Sequence, residues 1–212
     1  MYQAKENTSF FSDPTRSGGK QMYELIDAYR PGGPPTYIED LALMGCQNDS
    51  PASHNLVGIK CTNTNGLFFK GIWITAVDAG ISMQDSSGEF FIDECVTEYT
   101  FSGLVHLLDK SCDAWVRNCN IHSSSADPDA VGVNSNGGNV LVHDCKLVGF
   151  YGPAIVARGG RVSAQGNMMW DGAALVSGAG NGSIMSGNYL SRPAQTTPGS
   201  THVRLQTSLI SR

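Results

Sequence analysis

Seven stretches of this chain follow one template, and a repeat of that kind limits the fold more than any single motif does. They are residues 37–43, 68–74, 91–97, 115–121, 141–147, 163–169 and 184–190. Each carries an apolar residue, a variable one, a turn residue (Asp, Gly, Glu or Asn), a column residue, another variable one and an apolar one. The column residues are Leu41, Ile72, Cys95, Cys119, Cys145, Asn167 and Asn188, spaced by 31, 23, 24, 26, 22 and 21. A period of this size marks a stacked solenoid.

A second signal follows in phase: Gly58-Ile59-Lys60-Cys61, Gly80-Ile81-Ser82-Met83, Gly103-Leu104-Val105-His106, Val131-Gly132-Val133, Ala154-Ile155-Val156-Ala157 and Ala174-Leu175-Val176-Ser177, with His202-Val203-Arg204-Leu205 as a further candidate. Both sets alternate with period 2 and neither holds the 3.6 period of a helix. Glycines and short polar turns separate them, as in Asp85-Ser86-Ser87-Gly88 and Arg158-Gly159-Gly160. Each repeat is therefore expected to be a coil of two or three short strands. One coil cannot bury its own apolar face, so the coils must stack with parallel strands about 4.8 Å apart. Seven of them would make a rod roughly 30 Å long.

The irregular period, the loops of variable length and an inward column that passes from aliphatic to Cys to Asn resemble the right-handed parallel β-helix of the pectate-lyase-like superfamily, which includes phage tail spikes. The resemblance covers residues 36–208. It implies an all-β fold, a right-handed parallel β-helix of about seven coils. The division expected is an N-terminal cap or incomplete first coil over 1–35, the β-helix over 36–208 and a tail over 209–212. Within 1–35, residues 20–29 read either as part of a coil or as a short capping helix.

The enzyme motifs of this superfamily are not matched. Pectate lyases carry an Arg-x-Pro-x-x-Arg-like segment, whereas Arg30-Pro31 here runs into Gly32-Gly33 and Arg192-Pro193 into Ala194-Gln195. Polygalacturonases carry Asn-Thr-Asp, Asp-Asp and Gly-His-Gly blocks, and this chain has Asn63-Thr64-Asn65 with neither of the others. Tail spikes place their carboxylates variably, so the missing blocks do not weigh against that branch.

A net charge of -5 without any Lys/Arg cluster argues against a nucleic-acid partner. No apolar run approaches the roughly 20 residues of a membrane span, and the start, Met1-Tyr2-Gln3-Ala4-Lys5-Glu6, lacks a signal-peptide core. The expected location is a virion tail or the extracellular space.

Cys95, Cys119 and Cys145 share one inward column a strand spacing apart, and parallel in-register neighbours do not offer disulfide geometry. No Cys-x-x-Cys pair suggests zinc, so reduced core thiols with no metal and no cofactor are expected. Asn167 and Asn188 continue the column, where amides can hydrogen-bond from coil to coil. His106 aligns with Met83 and Val133 and is expected to be a satisfied buried histidine. An outward row reads Glu39, Lys70, Asp93, Arg117, His143 and Gln165. Its alternating signs at Lys70, Asp93 and Arg117 suit cross-strand ion pairing on a solvated surface.

Another outward row, Phe68, Phe91, Trp115 and Leu141, is contiguous and apolar, the mark of an interface. Three occupants compete: a homo-oligomer seam, a trimer by resemblance to tail spikes; a sugar-stacking platform; or a cover by the N-terminal segment. The seam is preferred, because close spacing and a leucine at one end suit packing.

The loops between the first and second strands gather carboxylates. Stacked in register, they bring Glu98, Asp127, Asp129 and Asp171 together with His122, Tyr99, Tyr151 and Trp170. Acids beside aromatic platforms suit carbohydrate recognition and glycoside hydrolysis, which uses two carboxylates at a defined separation. The candidate catalytic residues are thus Asp127, Asp129, Glu98 and Asp171, with His122, Tyr99, Tyr151 and Trp170 as carbohydrate contacts. Asp127 and Asp129 come first, because the 122–130 loop is the longest in mid-rod. Asp-Pro-Asp in a Ser-rich loop is equally ordinary turn chemistry.

The function expected is that of a tail spike- or tail fibre-like rod that engages a bacterial surface polysaccharide, with depolymerisation left open. Other virion proteins are further expected partners. Two alternatives remain: a free-standing polysaccharide lyase, hydrolase or epimerase, and a non-catalytic structural rod.

Overall fold

The computed structural model describes residues 23–29, 36–44, 56–84, 86–100, 105–107, 112–123, 130–150, 152–170 and 174–191. Within them every element is a strand, and the strands form three seven-stranded parallel sheets. Sheet A holds β1 (Tyr23–Tyr29), β4 (Leu56–Thr62), β7 (Ala79–Gln84), β10 (Val105–Leu107), β13 (Val133–Ser135), β16 (Pro153–Ala157) and β19 (Ala174–Ser177). Sheet B holds β2 (Thr36–Glu39), β5 (Asn65–Lys70), β8 (Ser87–Asp93), β11 (Cys112–Arg117), β14 (Val140–His143), β17 (Val162–Gln165) and β20 (Ile184–Ser186). Sheet C holds β3 (Ala42–Met44), β6 (Trp73–Thr75), β9 (Val96–Thr100), β12 (Asn120–Ser123), β15 (Lys146–Val148), β18 (Met168–Trp170) and β21 (Tyr189–Ser191). The chain runs A, B, C and returns to A one strand further along, which makes it a parallel β-solenoid. Residues 23–29, which read as coil or helix, form strand β1, paired with β4.

Period-2 alternation drives the coils together. In sheet B, Phe69, Ile92, Val116, Val142 and Ala164 stand in register and are buried. Leu43, Ile74, Ile121, Leu147 and Met169 do the same in sheet C. In sheet A, Ile59, Ile81, Val133 and Ile155 are fully buried. These rows form one continuous apolar interior that closes only when coils stack.

The corner between sheets B and C is made by the template's turn residue. Asp40, Gly71, Glu94, Asn118, Asp144, Gly166 and Gly187 all have φ between 52° and 65°, the left-handed region that Gly, Asn and Asp tolerate best. At Gly71 a Cβ would also stand 2.8 Å from Asp40 Oδ1. Corner amides donate to the neighbouring coil, as in Asp144 N to Gln165 O at 3.0 Å, and column carbonyls accept from it, as in Met168 N to Cys145 O at 2.8 Å.

What remains is the column residue's own amide, and side chains serve it. Cys145 N donates to Asn167 Oδ1 at 2.9 Å, and Asn167 N to Asn188 Oδ1 at 3.0 Å. Asn167 Nδ2 donates to Val142 O and Asn188 Nδ2 to Ala164 O, both at 2.8 Å. The thiols occupy the same place but bond nearer home: Cys119 Sγ lies 3.0 Å from Arg117 O and Cys145 Sγ 3.2 Å from His143 O, with the carbonyls one coil earlier, Ile92 O and Val116 O, at 3.7 and 3.6 Å. Cys61, Cys95, Cys112, Cys119 and Cys145 are all buried and unbridged. Hydrogen bonding with the Cys145 and Cys95 thiols, together with burial, pushes the Cys119 thiol well above its usual value.

The register corrects one expectation. His106 pairs with Ser82 and Asn134, whereas Leu107 pairs with Met83 and Val105 with Val133. Gly103 resembles Gly58 and Gly80, which lie near the starts of β4 and β7, but β10 begins only at Val105 and its register is shifted by one from the alignment on those glycines. The strand candidate at 202–205 lies outside the described residues. No helix among the described residues is long and apolar enough to cross a membrane.

Asn167→Ala should lower the unfolding free energy by about 2–4 kcal/mol in urea titration, because it leaves the Cys145 amide and the Val142 carbonyl buried without partners. Thr97, fully buried in an aliphatic row, has a hydroxyl with no hydrogen-bond partner among the described residues. Thr97→Val should therefore raise stability by about 1–2 kcal/mol in the same titration.

Candidate functional site

A solenoid's inward rows are committed to packing, so its chemistry has to sit on outward rows. On sheet B the apolar row is half-buried and largely satisfied by itself. Phe68 and Phe91 stack with ring centroids 4.6 Å apart and planes 5° from parallel, and Phe91 and Trp115 follow at 5.6 Å. Tyr37, a member the sequence pattern did not include, extends the ladder at 4.7 Å from Phe68. Leu141 continues the row beside Trp115. Because stacked rings cover one another's faces, the ladder turns ring edges outward. A sugar packs on a ring face, so the middle of the ladder is unsuited to be a sugar platform.

The charged row next to it is a surface network. Arg117 pairs with Asp93 at 2.9 Å, and Asn118 Nδ2 donates to the other oxygen of that carboxylate at 2.9 Å. Lys70 reaches Glu94 at 3.9 Å, at the corner, and not Asp93 in its own row. Further along, His143 Nε2 and Ser163 Oγ lie 3.0 Å apart, and Gln165 Nε2 donates to Ser163 Oγ. Exposed pairs of this sort contribute at most about 1 kcal/mol each.

Sheet C is different. Of the eight large apolar residues exposed among the described residues, five lie on its outer face: Met44, Trp73, Met168, Trp170 and Tyr189. Two outward rows run along it. The first reads Ala42, Trp73, Val96, Asn120, Lys146, Met168 and Tyr189. The second contains Met44, Thr75, Glu98, His122, Val148 and Trp170.

The second row holds three of the carbohydrate-site residues anticipated from sequence: Glu98, His122 and Trp170. Between β9 and β12 the register shifts: Ile121 pairs with Thr97 but Ser123 pairs with Thr100, so Glu98 and Tyr99 together stand against His122. A bulge of this kind re-aims side chains and often borders a functional site. Glu98 and His122 are half-buried. Trp170 lies in the same row beyond Val148, 44% exposed, with Lys146 Nζ 4.8 Å from its ring centroid. These residues sit on strands β9, β12 and β18 rather than in the loops where the sequence pattern put them. Asp127, Asp129, Tyr151 and Asp171 lie outside the described residues.

Trp73, Lys146, Met168 and Tyr189 were not anticipated. Lining up the residue just after each column residue, at 42, 73, 96, 120, 146, 168 and 189, would have exposed that row. Among the described residues no group of three His, Cys, Asp or Glu is arranged to hold a metal.

No protein-family model, curated protein or solved structure matches the chain.

Proposed function

We propose that this chain is a right-handed β-helical rod, resembling the shaft of a phage tail spike or fibre, that binds a bacterial surface polysaccharide along the outer face of sheet C. One observation carries this: the exposed aromatics Trp73, Trp170 and Tyr189 share that face with Glu98 and His122, which meet at a bulge. Aromatic surface at low conformational cost beside polar groups is what a glycan site needs. Parallel strands about 4.8 Å apart place these groups along one axis, which suits an extended polymer. The rod would work on a virion tail or outside a cell, docked to other virion proteins.

Depolymerisation would need a second carboxylate acting with Glu98. Asp171, next in the chain after Trp170, and Asp127 and Asp129, which follow β12, are the partners to substitute. Self-association into a trimer along Phe68, Phe91, Trp115 and Leu141 belongs to the same proposal. It is supported by the continuity of the row and by the ring edges it turns outward.

Titration of the purified chain against a panel of capsular and O-antigen polysaccharides tests the binding, with viscosity and reducing-end release followed in parallel. Trp170→Ala should weaken binding about tenfold, close to 1.4 kcal/mol. Unchanged affinity in that variant would remove sheet C as the binding face. Failure to bind any polymer would leave a non-catalytic structural rod. A fall in viscosity would point to a depolymerase, either virion-borne or free-standing. Phe91→Asp should reduce the mass seen in light scattering from oligomer to monomer, and an unchanged mass would rule out the ladder as a seam.

A further inference from the structure

Resting on the assignment of sheet C as the glycan-binding face, we infer that the polymer is anionic and that Lys146 reads its charge. Lys146 is the only Lys or Arg in the strands of sheet C, and Glu98 the only Asp or Glu. The two lie on β15 and β9, two strand spacings or roughly 10 Å apart, in different rows. Among the described residues no carboxylate comes within ion-pair distance of the Lys146 ammonium. Its partner there is the Trp170 ring, at 4.8 Å.

An ammonium over an indole face is held in place while keeping its charge and its hydrogen-bond donors. Trp170 is 44% exposed and Lys146 half-buried, so neither group is sealed from solvent.

Asn120 stands in register with Lys146, so a side-chain amide able to donate or accept lies beside the ammonium. The spot therefore offers one full positive charge whose partner among the described residues is an aromatic ring. A sugar bearing a carboxylate or a phosphate supplies the missing acceptor, and a charge-assisted bond is about twice as strong as a neutral one. A neutral sugar would leave the ammonium with only the ring. The chain's net charge of -5 opposes general attraction to an anionic polymer, so any preference must arise at this local site.

The test is calorimetric titration of the full chain with polysialic acid, hyaluronate, a glycerol-phosphate teichoic acid and the carboxyl-reduced forms of the first two. Thermal midpoints of every variant are measured alongside to establish folding. The parent chain should bind an anionic polymer at least about tenfold more tightly than its reduced form. Lys146→Met should erase that difference, and Lys146→Arg should retain it. Trp170→Ala should weaken both. Preference for the teichoic acid over both carboxylated polymers would identify phosphate as the group read, and the reverse would identify carboxylate. Equal affinity for charged and reduced polymers, or a preference that survives Lys146→Met, would overturn the inference while leaving sheet C a glycan face. Binding to none of the polymers would overturn both.

Discussion

A backbone that bends sharply between two strands must still find a partner for every amide, and the B–C corner is where this solenoid meets that demand. A left-handed residue turns the chain without lengthening the coil. The next residue then has an amide aimed along the axis with no carbonyl opposite it. Buried and unpaired, such an amide costs on the order of 1–3 kcal/mol per coil. Side chains from the adjacent coil accept it through Asn167 and Asn188, so a polar column runs alongside the apolar rows of the interior. The cysteines upstream keep half of that device. The thiols of Cys119 and Cys145 lie within 3.7 Å of the carbonyls equivalent to those the asparagine amides reach further along, but their shorter bonds are to carbonyls of their own coil. Their burial is explained by the corner's geometry, and no catalytic role is needed to account for it.

Once the corners hold the register, every outward position becomes a straight row with one residue per strand. Identical placement makes neighbours in a row interact whatever the sequence separation. Residues 23 or 24 apart stack their rings with centroids 4.6 and 5.6 Å apart, which is how Phe68, Phe91 and Trp115 meet. The same rule assembles Arg117, Asp93 and Asn118 into one network. A row can therefore satisfy itself, as on sheet B, or stay open, as on sheet C. The difference is a matter of ring contact: continuous aromatics cover one another, whereas Trp73, Trp170 and Tyr189 are separated by other residues and remain exposed.

Much of this was legible in the sequence because the template has physical content at each position. The turn residues Asp40, Gly71, Glu94, Asn118, Asp144, Gly166 and Gly187 were identifiable as corners, and all seven adopt the left-handed conformation. The Cys-to-Asn column was readable for the same reason. Three features were not. The one-residue slip at His106 was hidden by Gly103, which mimics the glycines at 58 and 80. The bulge facing His122 was absorbed into spacings that already varied, so an extra residue at Glu98 and Tyr99 left no trace. Ring orientation in the ladder depends on side-chain torsions that a repeat pattern does not encode, so a row with satisfied faces looked as sticky as an open one.

This division explains why recognition would fall to so few residues. Inward positions, corners and the polar column are bound to keep the stack in register, and a change at any of them is felt in both neighbouring coils. Outward positions on sheet C carry no such duty, because their backbone bonds are made by the parallel ladder regardless of side chain. Substitution there costs little stability, so aromatics, a carboxylate and a single cation can be exchanged independently of the fold. Chemistry on such a rod is thus set by which residue occupies each place in two rows. In sheet C the cation falls on Lys146 and the carboxylate on Glu98, too far apart to neutralise each other. An anionic ligand lying along the axis would meet the ammonium at one end of this span and be repelled at the other.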